Sequence, residues 1–361
     1  MLYLLYDLRH LWSPLNVFRY ISVRAGGAAL TALAICWFFG PPLIAWLRSK
    51  KVGQSQRKDG PQSHLSKEGT PTMGGVLIVA AVAVSTLLWM RLDVRYTWIL
   101  LFVSATLTAV GFWDDWLKLV RKDPKGAPSR AKFAVQIATA LVVVGLLAVD
   151  PPSGEHQTAL LIPYMPNVWV ELGSLYYVLA VLLLVGSSNA VNLTDGLDGL
   201  AAGTTIFCAL AYGVFAYMSG HAKFSAYLLL PHVPGAGEIT VFLAALIGAC
   251  LGFLWYNSYP AQVFMGDTGS LALGGALGCV ALATKHEILL VLVGGIFVVE
   301  AVSVIMQVGF FKMTHGRRIF RMAPLHHHFE LKGWAEPKVI VRFWIIAVIL
   351  ALLAFSTLKL R

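Results

Sequence analysis

Charge is scarce in this 361-residue chain: Asp, Glu, Lys and Arg make up 13% of it, against 58% hydrophobic residues, and the mean hydropathy is +0.72. A soluble domain carries roughly a quarter charged residues, so the shortage excludes an ordinary water-soluble fold and makes lipid the main solvent. Cysteine is scarce as well. The four, Cys36, Cys208, Cys250 and Cys279, all fall inside apolar runs without metal-like spacing, so they read as small packed hydrophobes and give no basis for a redox role. No fixed-period repeat stands out. The start lacks a short apolar region followed by a small-residue cleavage site, so residue 1 is expected to be the mature start.

What is abundant is long apolar sequence. A bilayer core about 30 Å thick takes about 20 apolar residues of helix per crossing. Ten runs are read as crossings, over residues 25–47, 74–90, 97–113, 132–149, 175–188, 199–218, 239–256, 269–283, 288–311 and 339–358. The fifth and eighth are short and depend on flanking residues for their length. The expected fold is an all-α integral membrane protein, a single polytopic domain over residues 1–361. The spacings Gly248 to Gly252 and Gly274 to Gly278 are expected to let helices pack closely in lipid.

Positive charge orients the bundle. Of 28 Lys and Arg, six lie in residues 48–67, six in 118–132 and six in 312–338, following the first, third and ninth runs. By the positive-inside rule these connections are cytoplasmic. Residues 150–173 contain no Lys or Arg, and 219–237 contain only Lys223, as expected outside. Both termini then face the periplasm, with Arg9, Arg19 and Arg24 arguing mildly the other way. The net charge of +10 is thus spent on topology and gives no reason to invoke nucleic acid.

With that parity, every odd-numbered connection faces the cytoplasm, and the unusual polar residues sit there. Asp114-Asp115-Trp-Leu-Lys118 follows the third run, and Asn189-Ala-Val-Asn192-Leu-Thr-Asp195-Gly-Leu-Asp198-Gly follows the fifth. Asn257 and Phe264-Met-Gly-Asp267-Thr-Gly-Ser270 follow the seventh, and His326-His327-His328 follows the ninth. Five of the chain's 18 acids therefore gather at one surface. Carboxylates converging at helix ends repel one another unless a cation sits among them. Oxygen donors without thiolates favour a hard divalent ion, and a site with room for phosphate oxygens favours Mg2+. Such an ion neutralises phosphate and holds donor and acceptor in line, so phosphoryl transfer at the cytoplasmic face fits the constellation.

Plainer readings exist for each motif. Taken alone, Asp114-Asp115 is better read as a solvated helix end. Asn192-Leu-Thr194 matches a glycosylation acceptor, but it would face the cytoplasm among acids, so the match is read as accidental. The run 189–199 suits a tight inter-helix turn, although such a turn rarely needs two carboxylates. Adjacent histidines seldom ligate one ion together, so His326 to His328 are read as phosphate or sugar contacts. Glu300, midway along the ninth run, suits pairing inside the bundle or a place in a lipid-facing groove, and both remain open. Gly294 and Gly295 are candidate bend points in that run.

Taken together, and in this order on alternate connections, these motifs and Pro324-Leu-His-His-His328-Phe-Glu resemble the polyprenyl-phosphate hexosamine 1-phosphate transferase superfamily. Lys67-Glu-Gly-Thr70-Pro-Thr72-Met-Gly-Gly and the three-histidine segment resemble its muramoyl-pentapeptide branch, essentially from end to end. The resemblance implies transfer from UDP-N-acetylmuramoyl-pentapeptide to undecaprenyl phosphate in the bacterial inner membrane, with release of UMP. It also implies contact with membrane lipids and a homodimer. By the same resemblance Asp267 is the first choice as Mg2+ ligand. Asp114 and Asp115 are candidates to deprotonate or orient the lipid phosphate, and Lys118 and Lys132 balance phosphate charge. Asn192, Asp195, Asp198, Asn257 and Phe264 are expected to shape the uridine and diphosphate pocket, with Asn189 and Ser270 from the same motifs. Lys67, Thr72, Gln307, His326 and His327 complete the donor site, and His326 also joins the catalytic set. Direct attack by the lipid phosphate and a covalent aspartyl-phosphate route are both open; direct attack is preferred because two positioned anions and one metal suffice. Two competitors were weighed: an N-acetylglucosamine-phosphate branch, opposed by the histidines and the 67–75 segment, and a transporter, opposed by acids that cluster at one surface instead of the bilayer midplane.

Overall fold

The computed structural model describes residues 1–50, 69–121, 126–154, 156–165 and 168–358. Its helices are α1 (Ile21–Ser49), α2 (Gly75–Trp89), α3 (Arg95–Arg121), α4 (Ser129–Val149), α5 (Leu175–Thr194), α6 (Leu200–Gly220), α7 (Ala222–Leu228), α8 (Ile239–Asn257), α9 (Asp267–Ala283), α10 (Leu289–Val293), α11 (Gly295–Met313), α12 (Leu325–Glu330) and α13 (Glu336–Ser356). Among the described residues the fold is helical apart from one short antiparallel hairpin, β1 (Ala159–Leu161) and β2 (Trp169–Glu171), with Leu160 opposite Val170. The hairpin lies in the connection that lacks Lys and Arg.

Eight helices, α1, α3, α4, α5, α6, α8, α11 and α13, are long and apolar enough to cross a membrane. The other two expected crossings are shorter, α2 with 15 residues and α9 with 17. At about 1.5 Å per residue these reach roughly 22 and 26 Å, less than a core of about 30 Å. For α9 the deficit has a reason in packing: every residue from Thr268 to Ala283 is buried, so this helix is solvated by protein and need not match lipid thickness. The fifth run, expected to be short, forms the 20-residue α5. The ninth run breaks in two at Gly294 (φ −87°, ψ 18°), whose N–H bonds the Leu290 carbonyl at 2.8 Å. A Cβ there would press on that carbonyl at 2.7 Å, so the bend needs glycine.

The helices also run further into the polar motifs than hydropathy indicates. Asp114, Asp115 and Lys118 lie within the last two turns of α3, Asn189 and Asn192 within α5, and Asp267 opens α9. The Asp114–Lys118 pair at i, i+4 supports the extra turn of α3, and Lys118 and Arg121 in its last turn suit the negative end of the helix dipole. Hydropathy is blind to both effects.

Small residues close the bundle as expected. A Cβ on Gly248 would overlap the Ala29 backbone of α1 and one on Gly252 would meet Cys36; on Gly274 and Gly278 it would overlap Ser187 of α5. Arg24, buried in α1, forms a two-pronged ion pair with Glu238 at 2.5 and 2.6 Å. The N-terminal amine donates to Leu87 O at 2.9 Å, at the end of α2. The Tyr164 hydroxyl, from the hairpin connection, donates to Leu353 O near the end of α13. The N-terminus and the end of α13 thus lie at the hairpin end of the bundle, opposite the start of α9.

Candidate active site

Three helix ends meet at one place because glycine lets them. Gly111 of α3 has no room for a Cβ against the Asp267 backbone, and Gly75 at the start of α2 packs directly on Gly269 of α9. Gly266 adopts φ +74°, where a side chain is strained, and a Cβ there would lie 2.6 Å from Asp115 Oδ2 and 2.9 Å from Thr72 Oγ1. The segment before α2 pairs with the segment before α9: Phe264 N–H donates to Pro71 O, Gly74 N–H to Phe264 O and Gly75 N–H to Met265 O, at 2.8–2.9 Å. Thr72 and Phe264 are brought to the cluster by this pairing.

Asp115, buried in α3, acts as the cap of a different helix. Its Oδ2 accepts from the Thr268 backbone N–H at 3.0 Å and hydroxyl at 2.7 Å, and its Oδ1 from the Asp267 N–H at 3.3 Å. These are amides that the first turn of α9 cannot satisfy itself. Asp114, also buried, accepts from Ala127 N–H at 2.8 Å and pairs with Lys118 at 2.6 Å and Lys132 at 3.1 Å. Asp267 Oδ2 lies 3.2 Å from Lys132 Nζ and 3.5 Å from Lys118 Nζ. Its Oδ1 accepts from Asn192 Nδ2, which also reaches the Ser270 hydroxyl at 2.8 Å. With its side chain 15% exposed, Asp267 is the only one of the three carboxylates open to solvent, the others being at 0 and 3%.

Each of these three residues offers an oxygen within 4.8 Å of the others. Such an all-oxygen set is what a hard divalent cation takes, so the residues fit a metal. Three carboxylates against two ammonium groups leave one net negative charge; a divalent ion would turn it to one net positive, suited to phosphate. Asp195, just past α5, is held well above the usual carboxylate range by burial and then by the fields of Asp267 and Asp115, although a bond from the Gly266 backbone opposes this.

The remaining expected residues divide. Asn189 is on α5 but turns to α4, donating to Gln136 Oε1 at 2.7 Å. Asp198 accepts from Ala261 N–H at 2.9 Å. Asn257 is buried, accepting from Gly199 N–H at 3.0 Å and donating to Val263 O at 2.9 Å. Asp198 and Asn257 therefore brace the wall of the site, pinning the 258–263 loop to the turn after α5. Gln307 braces the segment before α12, accepting from Ile319 and Phe320 N–H and donating to Phe320 O. His327 pairs with Glu330 at 2.8 Å, and His328 accepts from Arg321 N–H at 3.1 Å. His326 is fully buried against Gly196 and paired with Glu300. Lys67 lies outside the described residues.

Comparison with known proteins agrees with this arrangement. The Glycosyl transferase family 4 profile matches residues 97–285, which carry all three acids. Signature 1 of the phospho-N-acetylmuramoyl-pentapeptide-transferases matches residues 67–79. Proteins named phospho-N-acetylmuramoyl-pentapeptide-transferase from Syntrophus aciditrophicus, Desulfosudis oleivorans and Thermodesulfovibrio yellowstonii are 58, 57 and 55% identical, each over the full length of both chains. The chain belongs to this transferase family.

Within this family member, three contributors escaped sequence reasoning. Thr268 and Gly266 lie inside a quoted motif but are ordinary turn residues by type. Gln136 shares a helix face with Lys132, four residues earlier, and that spacing was the available signal. Of the two readings left open for Glu300, the structure shows pairing inside the bundle, with His326 as the partner 26 residues away that no periodic pattern could name.

Proposed function

We propose that this phospho-N-acetylmuramoyl-pentapeptide transferase moves the phospho-sugar from UDP-N-acetylmuramoyl-pentapeptide to undecaprenyl phosphate, forming lipid I and UMP, at the Asp114, Asp115 and Asp267 cluster. The observation that carries the reading is three carboxylates and two lysines gathered at the ends of apolar helices in a chain with full-length transferase relatives. Asp267 would hold Mg2+ with its exposed oxygen. Bound there, the ion would supply charge neutralisation to the pyrophosphate. Lys118 and Lys132 bind phosphate oxygens, and Asn192 and Ser270 orient the Asp267 carboxylate. Asp114, whose partners are both lysines and one amide, is better placed than Asp115 to orient the incoming lipid phosphate, since Asp115's hydrogen bonds cap α9 and its one ion-pair contact, with Lys118, is longer at 3.6 Å. Phe264, half-buried beside Thr72, offers a face to uracil.

The finer topology belongs to the same proposal: ten crossings, with α2 and α9 as the short ones and α10 with α11 as one bent crossing. Both termini would be periplasmic and the cluster cytoplasmic in the bacterial inner membrane. The charge distribution and the placement of the N-terminus and the end of α13 opposite Asp267 support this. A large buried apolar cluster from Ala28 to Ala354, beside a smaller one around Leu197, Ile296 and Phe343, supports a single polytopic domain. The family resemblance supports the homodimer.

The test is UMP release by purified protein in detergent, with and without Mg2+, for wild type and Asp267→Asn. Mg2+-dependent turnover that falls by about 10³-fold in the variant, several kcal/mol of charge stabilisation, supports the assignment. Turnover with UDP-N-acetylglucosamine alone would move the protein to the other branch of the superfamily.

A further inference from the structure

Glu300 is the sixth residue of α11, near the middle of α10 and α11 taken together, and is itself buried at 0% exposure. A carboxylate at that depth is costly unless paired. Its partner is His326, also at 0%: Glu300 Oε1 accepts the His326 backbone N–H at 3.1 Å, and Oε2 lies 3.1 Å from His326 Nδ1. An ionised carboxylate only accepts, so Nδ1 must carry the proton in this bond. The other ring nitrogen, Nε2, is buried and has no hydrogen-bond partner among the described residues. It abuts Gly196, whose missing side chain alone lets the ring come so close. Gly196 sits in the turn after α5 between Asp195 and Asp198, four residues after the Asn192 that holds Asp267.

Resting on the proposed transfer, we propose that Glu300 is a positioning residue for it. By fixing both the backbone and Nδ1–H of His326, it presents Nε2 as a hydrogen-bond acceptor reserved for an N–H or O–H of the nucleotide-sugar donor at the Asp195–Asp198 turn. A buried acceptor left without a protein partner is costly, and a donor that fills it recovers that cost on binding. Glu300 touches neither substrate and acts only through the imidazole, as the outer partners of ligating histidines do in metal sites.

Glu300→Gln is the informative variant. The amide is isosteric and can keep both contacts, but its NH2 donates to Nδ1 and so moves the ring proton to Nε2. The expected result is a fall in kcat of about 10–100-fold, the size seen when such outer partners are removed, with a smaller change in donor KM. In 15N NMR of histidine-labelled protein, with the His326 signal identified by its loss in His326→Gln, the proton should move from Nδ1 to Nε2. Placed on His326→Gln, the Glu300 change should cost nothing further. Unchanged kcat, an unmoved proton, or losses that multiply in the double variant would overturn the proposal. If Glu300→Gln does not fold, Glu300→Asp, which withdraws the carboxylate by one methylene, takes its place in the kcat and double-variant readouts, where unchanged kcat or multiplying losses would overturn the proposal. Wild-type protein that fails to turn over the muramoyl donor would refute the proposed function alone, while the NMR measurement would still judge the role of Glu300.

Discussion

Gly111→Ala tests whether the site depends on helix spacing as well as on carboxylates. Gly111 is buried on α3 one turn before Asp115, and a methyl group there would lie 2.6 Å from Thr268 N and closer still to the Asp267 carbonyl. Ordinary contact begins near 3.4 Å, so the start of α9 must back away by about 1 Å. The obstacle is backbone, so no rotamer change relieves it. Overpacking of this kind costs about 1–3 kcal/mol of stability. Moving Asp267 by about 1 Å from its partners costs about 100-fold in rate, or about 2.7 kcal/mol of barrier. The assay is UMP release per folded protein, with Gly145→Ala as control, because Gly145 on α4 has nothing within 4 Å of a new Cβ. Gly145→Ala should leave the rate unchanged. A folded Gly111→Ala protein retaining half or more of wild-type kcat would refute the argument that the α3–α9 contact sets the geometry.

Other perturbations separate structure from chemistry. Arg24→Met leaves Glu238 buried without its main partner and should lower stability by about 3–5 kcal/mol, read as a large drop in thermal midpoint; adding Glu238→Leu should recover much of it. Lys285 bonds Ala159 O at 2.9 Å and Glu287 at 3.2 Å, so Lys285→Met should speed hydrogen exchange across residues 156–172 before it affects the acid cluster. An unchanged hairpin would show that Lys285 does not anchor it. Chelation should abolish UMP release; Mg2+ should restore it, and Ca2+, larger and less strict in geometry, should restore it poorly.

Much of this was legible in the sequence for a physical reason. Lipid forces backbone bonds inside each segment, so apolar length reports helices, and the basic clusters report which ends share a side. The acids Asp114, Asp115 and Asp267 were identifiable because charge at membrane depth is expensive and therefore rare. Two things were hidden. Helix ends were misjudged because pairs such as Asp114–Lys118 and caps such as Asp115 on Thr268 stabilise turns that hydropathy scores as loop. The bonding behind the expected roles was hidden as well: Asn257 and Asp198 were expected to shape the pocket and Gln307 to complete the donor site, and it took the structure to show that their described bonds run to backbone groups of its wall. A sequence records that a residue is polar, and only the fold shows who uses its hydrogen bonds.

The burial of α9 bears on how the protein is made. Its glycine-rich sequence has low intrinsic helix propensity, and at 17 residues it is short for a stable crossing on its own. It gains its place only when α2, α3 and α5 close around it. Asp267, at its first residue, therefore meets Asp115 and Lys132 only after segments more than a hundred residues apart have associated. A chain stalled during insertion, with early helices in the bilayer and α9 outside the bundle, would have every acid but not the cluster of Asp114, Asp115 and Asp267. On the proposed function, the appearance of activity would then be a late marker of membrane assembly.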